Sequence, residues 1–80
     1  MTSWAQSKTI TGKVTDQKTG QGLVGVTVSS SGTNTLTDES GNYRISVGTS
    51  AKSITFMFVG YDRIELPIRG NVVNASLNPE

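Results

Sequence analysis

The chain has no cysteine, so it can form no disulfide and offers no thiolate to a metal. It has no histidine either, which removes the commonest metal ligand and the commonest general base together. Charge is sparse: 16% of residues are charged, seven basic and six acidic, for a net +1. These charges are scattered along the chain, with no run longer than two. There is no basic stripe for nucleic acid and no polybasic segment for a membrane surface. No apolar run approaches the ~20 residues that a membrane-spanning helix needs. Aromatic residues are few, with one tryptophan, two tyrosines and two phenylalanines.

What the chain does have is glycine and β-branched residues, where a helical protein would show Ala, Leu, Glu and Lys. Eighty residues make one small domain. A domain of this size buries only about 60% of the surface its unfolded chain exposes, and its stability is expected to be about 5 kcal/mol. The densest apolar stretch is Ile54-Thr55-Phe56-Met57-Phe58-Val59-Gly60-Tyr61, and the rest reads as short strands and turns packed around it.

Residues 1–8 read as an irregular tail. Within it, Ser3-Trp4-Ala5 before Gln6 has the small-residue spacing of a signal-peptidase site, which also fits an ordinary chain start. From Thr9 to Thr15 the sequence alternates, with Ile10, Gly12 and Val14 on one face. Asp16 to Gly22 is a turn. Val24, Val26 and Val28 face inward on a second strand, and Ser29 to Asn34 is a loop. Thr35-Leu36-Thr37 is a short strand near an edge. In the connection from Asp38 to Asn42, Asp38 can accept backbone amides and Gly41 can take the positive φ that closes a bulged hairpin. Tyr43, Ile45 and Val47 then face inward, and Gly48 to Lys52 is a loop.

The apolar stretch is read as one strand, with Ile54, Phe56 and Phe58 on one face and Met57, Val59 and Tyr61 on the other. Gly60 leaves room for a neighbour on the Phe58 side. Ile64, Leu66 and Ile68 share a face of the next strand, where Pro67 implies a sheet edge. Val73, Ala75 and Leu77 alternate in the last. Seven short strands without a sustained 3.6-residue period indicate an all-β sandwich or small barrel. The Met57, Val59 and Tyr61 face needs a cover. A loop, the Trp4 tail or a folded-back Tyr61 would supply one; otherwise it is a docking patch for a partner.

Motifs for chemistry are weak. Gly20-Gln21-Gly22-Leu23-Val24-Gly25 spells the dinucleotide-binding pattern, but β-branched Val26, Thr27 and Val28 follow where the pattern needs a helix N-terminus. Asp38, Glu39, Ser40 and Asn42 offer oxygens to a cation, yet the spacing is that of a turn. Ser29, Ser30 and Ser31 have no base to activate them. Asp16, Asp62 and Glu65 lie in turns or at outward positions, with no convergent partner. No catalytic, cofactor-binding or metal-ligating residue is assigned.

Several strings carry a resemblance. They are Thr9-Ile10-Thr11-Gly12-Lys13-Val14-Thr15-Asp16, Gly25-Val26-Thr27-Val28, Gly32-Thr33-Asn34-Thr35, Thr37-Asp38-Glu39-Ser40-Gly41-Asn42-Tyr43-Arg44-Ile45 and Phe58-Val59-Gly60-Tyr61. In this order and spacing, over about residues 8–78, the chain resembles the carboxypeptidase-regulatory-like domain. The nearest variety is the N-terminal extension of SusC-like TonB-dependent outer-membrane receptors of Bacteroidetes. Val24 stands where that family often has proline, and the loop before Thr37 is shorter than usual.

The resemblance implies a seven-stranded, transthyretin-like Greek-key β-sandwich over residues 9–78, non-catalytic and without cofactor. It further implies an exported accessory domain on the periplasmic side of the outer membrane, in a receptor that imports glycans or other nutrients. Its partner would be a periplasmic protein of the TonB system or one associated with the receptor. Such a domain binds no nucleic acid, does not itself span the membrane and is a monomer in isolation. Met57, Val59 and Tyr61 are the expected partner contact.

The alternative is a regulatory or stalk-like module attached to a secreted peptidase or surface protein, or a weak carbohydrate-binding module using Trp4 and Tyr61. Two other readings fail on residues. Transthyretin-like hydrolases of 5-hydroxyisourate depend on histidines, and a Lys13–Asn74 isopeptide would need both side chains buried, whereas both have outward parity.

Overall fold

A computed structural model of the chain describes residues 7–80. Trp4 and the Ser3-Trp4-Ala5 site lie outside the described residues. The described residues form seven strands: β1 (Ser7–Asp16), β2 (Thr27–Ser30), β3 (Thr33–Leu36), β4 (Asn42–Gly48), β5 (Ser53–Met57), β6 (Ile64–Pro67) and β7 (Ala75–Leu77). They make two sheets, ordered β4-β1-β7 and β3-β2-β5-β6, and the fold is the expected all-β Greek-key sandwich.

The core follows from alternation. Ile10, Val14, Val26, Val28, Ile54, Phe56 and Leu77 are fully buried, joined by Tyr43, Ile45, Val47, Val73 and Ala75. These are the inward positions of strands that keep their other face in water. The Tyr43 ring meets Phe56 edge-on at 5.6 Å, a favoured aromatic geometry.

β1 organises the smaller sheet. It pairs antiparallel with β4 from Ser7↔Gly48 to Lys13↔Asn42, then parallel with β7 from Val14↔Ala75 to Asp16↔Leu77. Ser7 and Lys8 are therefore part of the sheet, two residues ahead of the expected start. Alternate β1 residues serve alternate neighbours. The Val14 N–H donates to Gly41 O at 2.8 Å, whereas Thr11 donates to Asn71 O and accepts from the Val73 N–H, both at 2.9 Å.

Four local expectations are corrected. Val24 is 54% exposed, because Gly25 with φ 80° breaks the alternation and β2 starts only at Thr27. Residues 29–34 are not a loop: β2 and β3 continue into a two-residue turn, Ser31-Gly32, with both φ positive (50° and 81°), the hairpin geometry that matches strand twist. The Asp38–Asn42 connection is not a hairpin, since β3 and β4 lie in different sheets. It is nevertheless built as anticipated, with Asp38 Oδ1 accepting the N–H groups of Ser40 and Asn42, both at 2.9 Å, and Gly41 at φ 86°. Finally, β5 ends at Met57 rather than running to Tyr61.

Both edge assignments hold: β3 and β6 are the outer strands of the larger sheet. Ile68 N–H donates to Lys52 O at 2.8 Å, so Ile68 turns its backbone toward the β5 side and Pro67 turns its donorless nitrogen to the free edge. Thr37, just past β3, is buried. Its hydroxyl accepts from the Val26 N–H and donates to Leu23 O, which pins the irregular approach to β2.

Candidate interaction surface

Beyond Met57 the chain turns. Tyr61 N–H donates to Phe58 O at 3.1 Å, and Gly60, at the third position, has φ 87°. This is the position of a type II turn that L side chains disfavour. A side chain on Gly60 would have no atom within 4 Å, so its glycine serves the turn and not a close neighbour as expected. The turn thrusts Val59 into solvent at 93% exposure and folds Tyr61 back onto Phe58, ring on ring, with centroids 5.5 Å apart.

Tyr61 is held at both ends of its residue. Its hydroxyl donates to Asp16 Oδ2 at 2.6 Å, while its backbone bridges Pro79. On either side of that bridge, Asp62 N–H reaches Asn78 O and Glu80 N–H reaches Gly60 O, both at 2.9 Å. Asp16 is almost fully buried at the end of β1. Its other oxygen, Oδ1, accepts the backbone N–H groups of Lys18 at 2.7 Å and Thr19 at 3.1 Å. Asp16 was expected in a turn or facing outward. It instead ties the end of β1, the 17–21 turn and the 58–61 turn together.

This tie sets a pH dependence. The Tyr61 hydroxyl first, then the Lys18 and Thr19 amides and the Lys18 charge, hold the Asp16 carboxyl below its ordinary value against an opposing effect of burial. A lowered folded-state pKa means stability that is present above the unfolded pKa and lost as pH falls through the folded one. The same bond, with burial and the Asp16 charge, raises Tyr61, and burial pushes Tyr43 up to about 12. Those contributions are present below the ordinary tyrosine value and lost as pH rises through the raised ones. The melting temperature is therefore expected to fall below about pH 4 and above about pH 10. Tyr61→Phe should flatten the acid limb and leave the alkaline fall due to Tyr43, as read by thermal melts from pH 2 to pH 11. An unchanged acid limb in that variant excludes the tie as its source.

Beside the turn lies an open groove of about 450 Å³, lined by Thr27, Met57, Phe58, Val59, Tyr61 and Arg63, together with Gly25. Thr27 reaches it because β2 pairs with β5 in the register Thr27↔Met57. On the other side Thr27 pairs with Leu36, so Leu36, Thr27 and Met57 form one row on the outer face of the sheet. Leu36 is 63% and Met57 41% exposed, and this row continues the apolar surface.

Met57, Val59 and Tyr61 thus all line one groove, although a turn assembles them and not a shared strand face; Tyr61 does fold back, as one of the expected covers, but onto Phe58, and Met57 and Val59 stay exposed. Thr27 and Arg63 were not singled out from the sequence, and Phe58, expected on the inward face with Ile54 and Phe56, is half-buried and lines the groove. Phe58 had a signal as a member of the apolar run and Arg63 in its nearness to it, while Thr27 had none without the β2–β5 register. The groove contains a guanidinium, a phenol committed to Asp16 and apolar surface, but no nucleophile with a base.

The remaining candidates are accounted for locally. The Asp38 carboxylate is spent on its own turn. Ser30 is buried and donates to Ser53 O at 2.6 Å. Gly22 packs against the Ser40 carbonyl, which a Cβ would approach to 2.0 Å, and a strand follows. Among the described residues no group of three or more His, Cys, Asp or Glu side chains gathers around a common centre. Lys13 and Asn74 are both exposed, and Asn74 Oδ1 accepts the Lys13 backbone N–H at 2.9 Å.

Comparison with curated proteins gives no match. The profile of the CarboxypepD_reg-like domain matches residues 10–79, from the first fully buried residue of β1 through the Pro79 bridge to Tyr61. By that match over nearly the whole chain, the protein belongs to the CarboxypepD_reg-like domain family.

Proposed function

We propose that this domain is a non-catalytic accessory module of a TonB-dependent outer-membrane receptor for glycans or other nutrients. It acts on the periplasmic side by contact with a protein of the TonB system or one associated with the receptor. Membership in a family of β-sandwich modules that are generally non-catalytic supports the coarser part. The observation that carries the contact is the groove around the 58–61 turn, where Val59 is almost wholly exposed and Met57 and Leu36 extend the apolar area. Exposed apolar side chains gathered around a rigid turn cost solubility and favour a partner.

Tyr61 also holds the fold, so Met57→Ser with Val59→Ser is the cleaner test of the surface than a change that includes Tyr61. In the parent receptor, this double variant should lower nutrient uptake on the order of tenfold. Receptor level in the outer membrane and the melting temperature of the domain should stay unchanged. Normal uptake by that variant removes the surface from the mechanism. A parent that is a secreted peptidase transfers the same groove to the alternative reading, contact with an adjoining peptidase domain.

A further inference from the structure

The four sheet edges are unequal. β6 is guarded by Pro67 on its free side, β7 spans three residues and β3 four, whereas β4 runs seven residues along the edge of the smaller sheet. Strand pairing fixes which β4 residues look outward. Because Val14 bonds Gly41 and Thr11 turns to the other side, the register of β1 and β4 directs the N–H and C=O groups of Tyr43, Ile45 and Val47 toward β1. Arg44 and Ser46 turn their N–H and C=O groups to the free edge. Asn42, next along, is already closed by Asp38 through Asn42 N–H to Asp38 Oδ1 and Asp38 N–H to Asn42 O, and Gly48 O accepts from the Ala51 N–H. Among the described residues this leaves a strip of two donors and two acceptors between two capped ends. Neither a proline nor a bulge interrupts it, and Arg44 is its one charged residue.

We infer that the free edge of β4 is a strand-addition site for an extended peptide segment of alternating apolar and acidic residues. The alternation follows from the pleat. A strand laid beside β4 places every second side chain next to Tyr43, Ile45 and Val47, the buried side of the sheet, and the others on the outer face. That outer face carries Thr9, Thr11, Lys13, Thr15, Asn42, Arg44, Ser46, Asn74 and Ser76. Its charged side chains are Lys13 and Arg44, and it has no carboxylate. Lys13 stands opposite Asn42, and Arg44 opposite Thr11, so the two cations are diagonal neighbours, about 7–8 Å apart in backbone spacing. An incoming carboxylate beside Arg44 pairs with it directly, while Lys13, two strand spacings or about 10 Å away, adds a longer-range attraction at low salt.

The same charges argue against a second copy of this chain as the occupant. An antiparallel β4–β4 pair would gather two lysines and two arginines on one continuous face, and like charges across a strand pair are destabilising. The site is separate from the 57–63 groove, which lies on the other sheet, and its test is independent of the proposed receptor role.

Two eight-residue synthetic peptides serve as probes, one alternating valine with glutamate and one alternating valine with lysine. The glutamate peptide should slow amide hydrogen exchange at Arg44 and Ser46 and leave Ile45 and Val47 unchanged, since those amides already face β1. It should bind about tenfold more tightly than the lysine peptide at low salt and lose that advantage as salt rises. Ser46→Pro, which removes one outward donor without touching the β1 ladder, should abolish binding. Should that variant fail to fold, a glutamate peptide N-methylated on the amides that face β4 makes the same test from the other side. Equal binding of the two peptides overturns the inference, as does protection confined to residues 57–63. So does concentration-dependent self-association of the chain alone that protects Arg44 and Ser46.

Discussion

Gly12→Ala is expected to leave the chain unfolded. Gly12 lies at an inward position of β1, where a Cβ would come 1.8 Å from the Val73 carbonyl oxygen and 2.8 Å from the Tyr43 ring. Neither can retreat. The Tyr43 hydroxyl donates to that same Val73 oxygen, and the Val73 N–H is bonded to Thr11 O. The ring itself is wedged against Phe56. Making room means parting β1 from the segment that leads into β7, at the loss of several buried hydrogen bonds worth about 1 kcal/mol each and the packing around them. A domain of this size has a stability of roughly 4–12 kcal/mol. Far-ultraviolet circular dichroism and a urea titration of Gly12→Ala should show no folding transition at 25 °C. A cooperative transition with a midpoint close to that of the wild-type chain would mean that this close approach is not tight. Gly70→Ala, where a Cβ meets nothing within 4 Å, is the matched control.

Gly12 shows where sequence reading succeeds and where it stops. Its parity with Ile10 and Val14 placed it inside, but only the pairing with a segment some sixty residues later explains why that position must be empty of a side chain. The alternations Tyr43-Ile45-Val47 and Val73-Ala75-Leu77 were legible because each strand keeps one face wet, and Pro67 announced an edge by its missing donor. The partition into two sheets was not legible. Periodicity describes one strand at a time and is silent on which strands pair, so the Asp38–Asn42 segment passed for a hairpin when it joins different sheets.

The site shows the same limit. Apolar residues can build a turn, and a two-residue period runs through Phe58-Val59-Gly60-Tyr61 without registering the bend; the glycine at the third position was the available sign. Asp16 carried a sign as well, as an acid on the inward parity of Ile10 and Val14. Such a residue is buried only when it is hydrogen-bonded, and its partner, Tyr61, was the aromatic whose role stood open. Met57, Val59 and Tyr61 were grouped as one strand face and meet instead at a turn, whereas Thr27 comes to the groove through a strand register that no local pattern encodes.

The stretch from Ile54 to Tyr61 therefore divides at Met57, and the two sides should answer mutation in opposite ways. Phe56 is fully buried in a strand flanked on both sides, and its ring meets Tyr43 edge-on. Removing it in Phe56→Ala forfeits transfer energy and leaves a cavity, at a cost of about 3–5 kcal/mol. In a domain near the lower end of the usual stability range this leaves much of the chain unfolded at 37 °C. Phe56→Leu, which keeps most of the volume, should lose markedly less. Val59, three residues on, touches so little that Val59→Ser should change stability by no more than about 0.5 kcal/mol. Urea titrations of the three variants at pH 7 decide this. A Val59→Ser cost comparable to that of Phe56→Ala would place Val59 in the core and end its candidacy as a contact. A Phe56→Ala cost below about 1 kcal/mol would mean that the sandwich does not close around this ring.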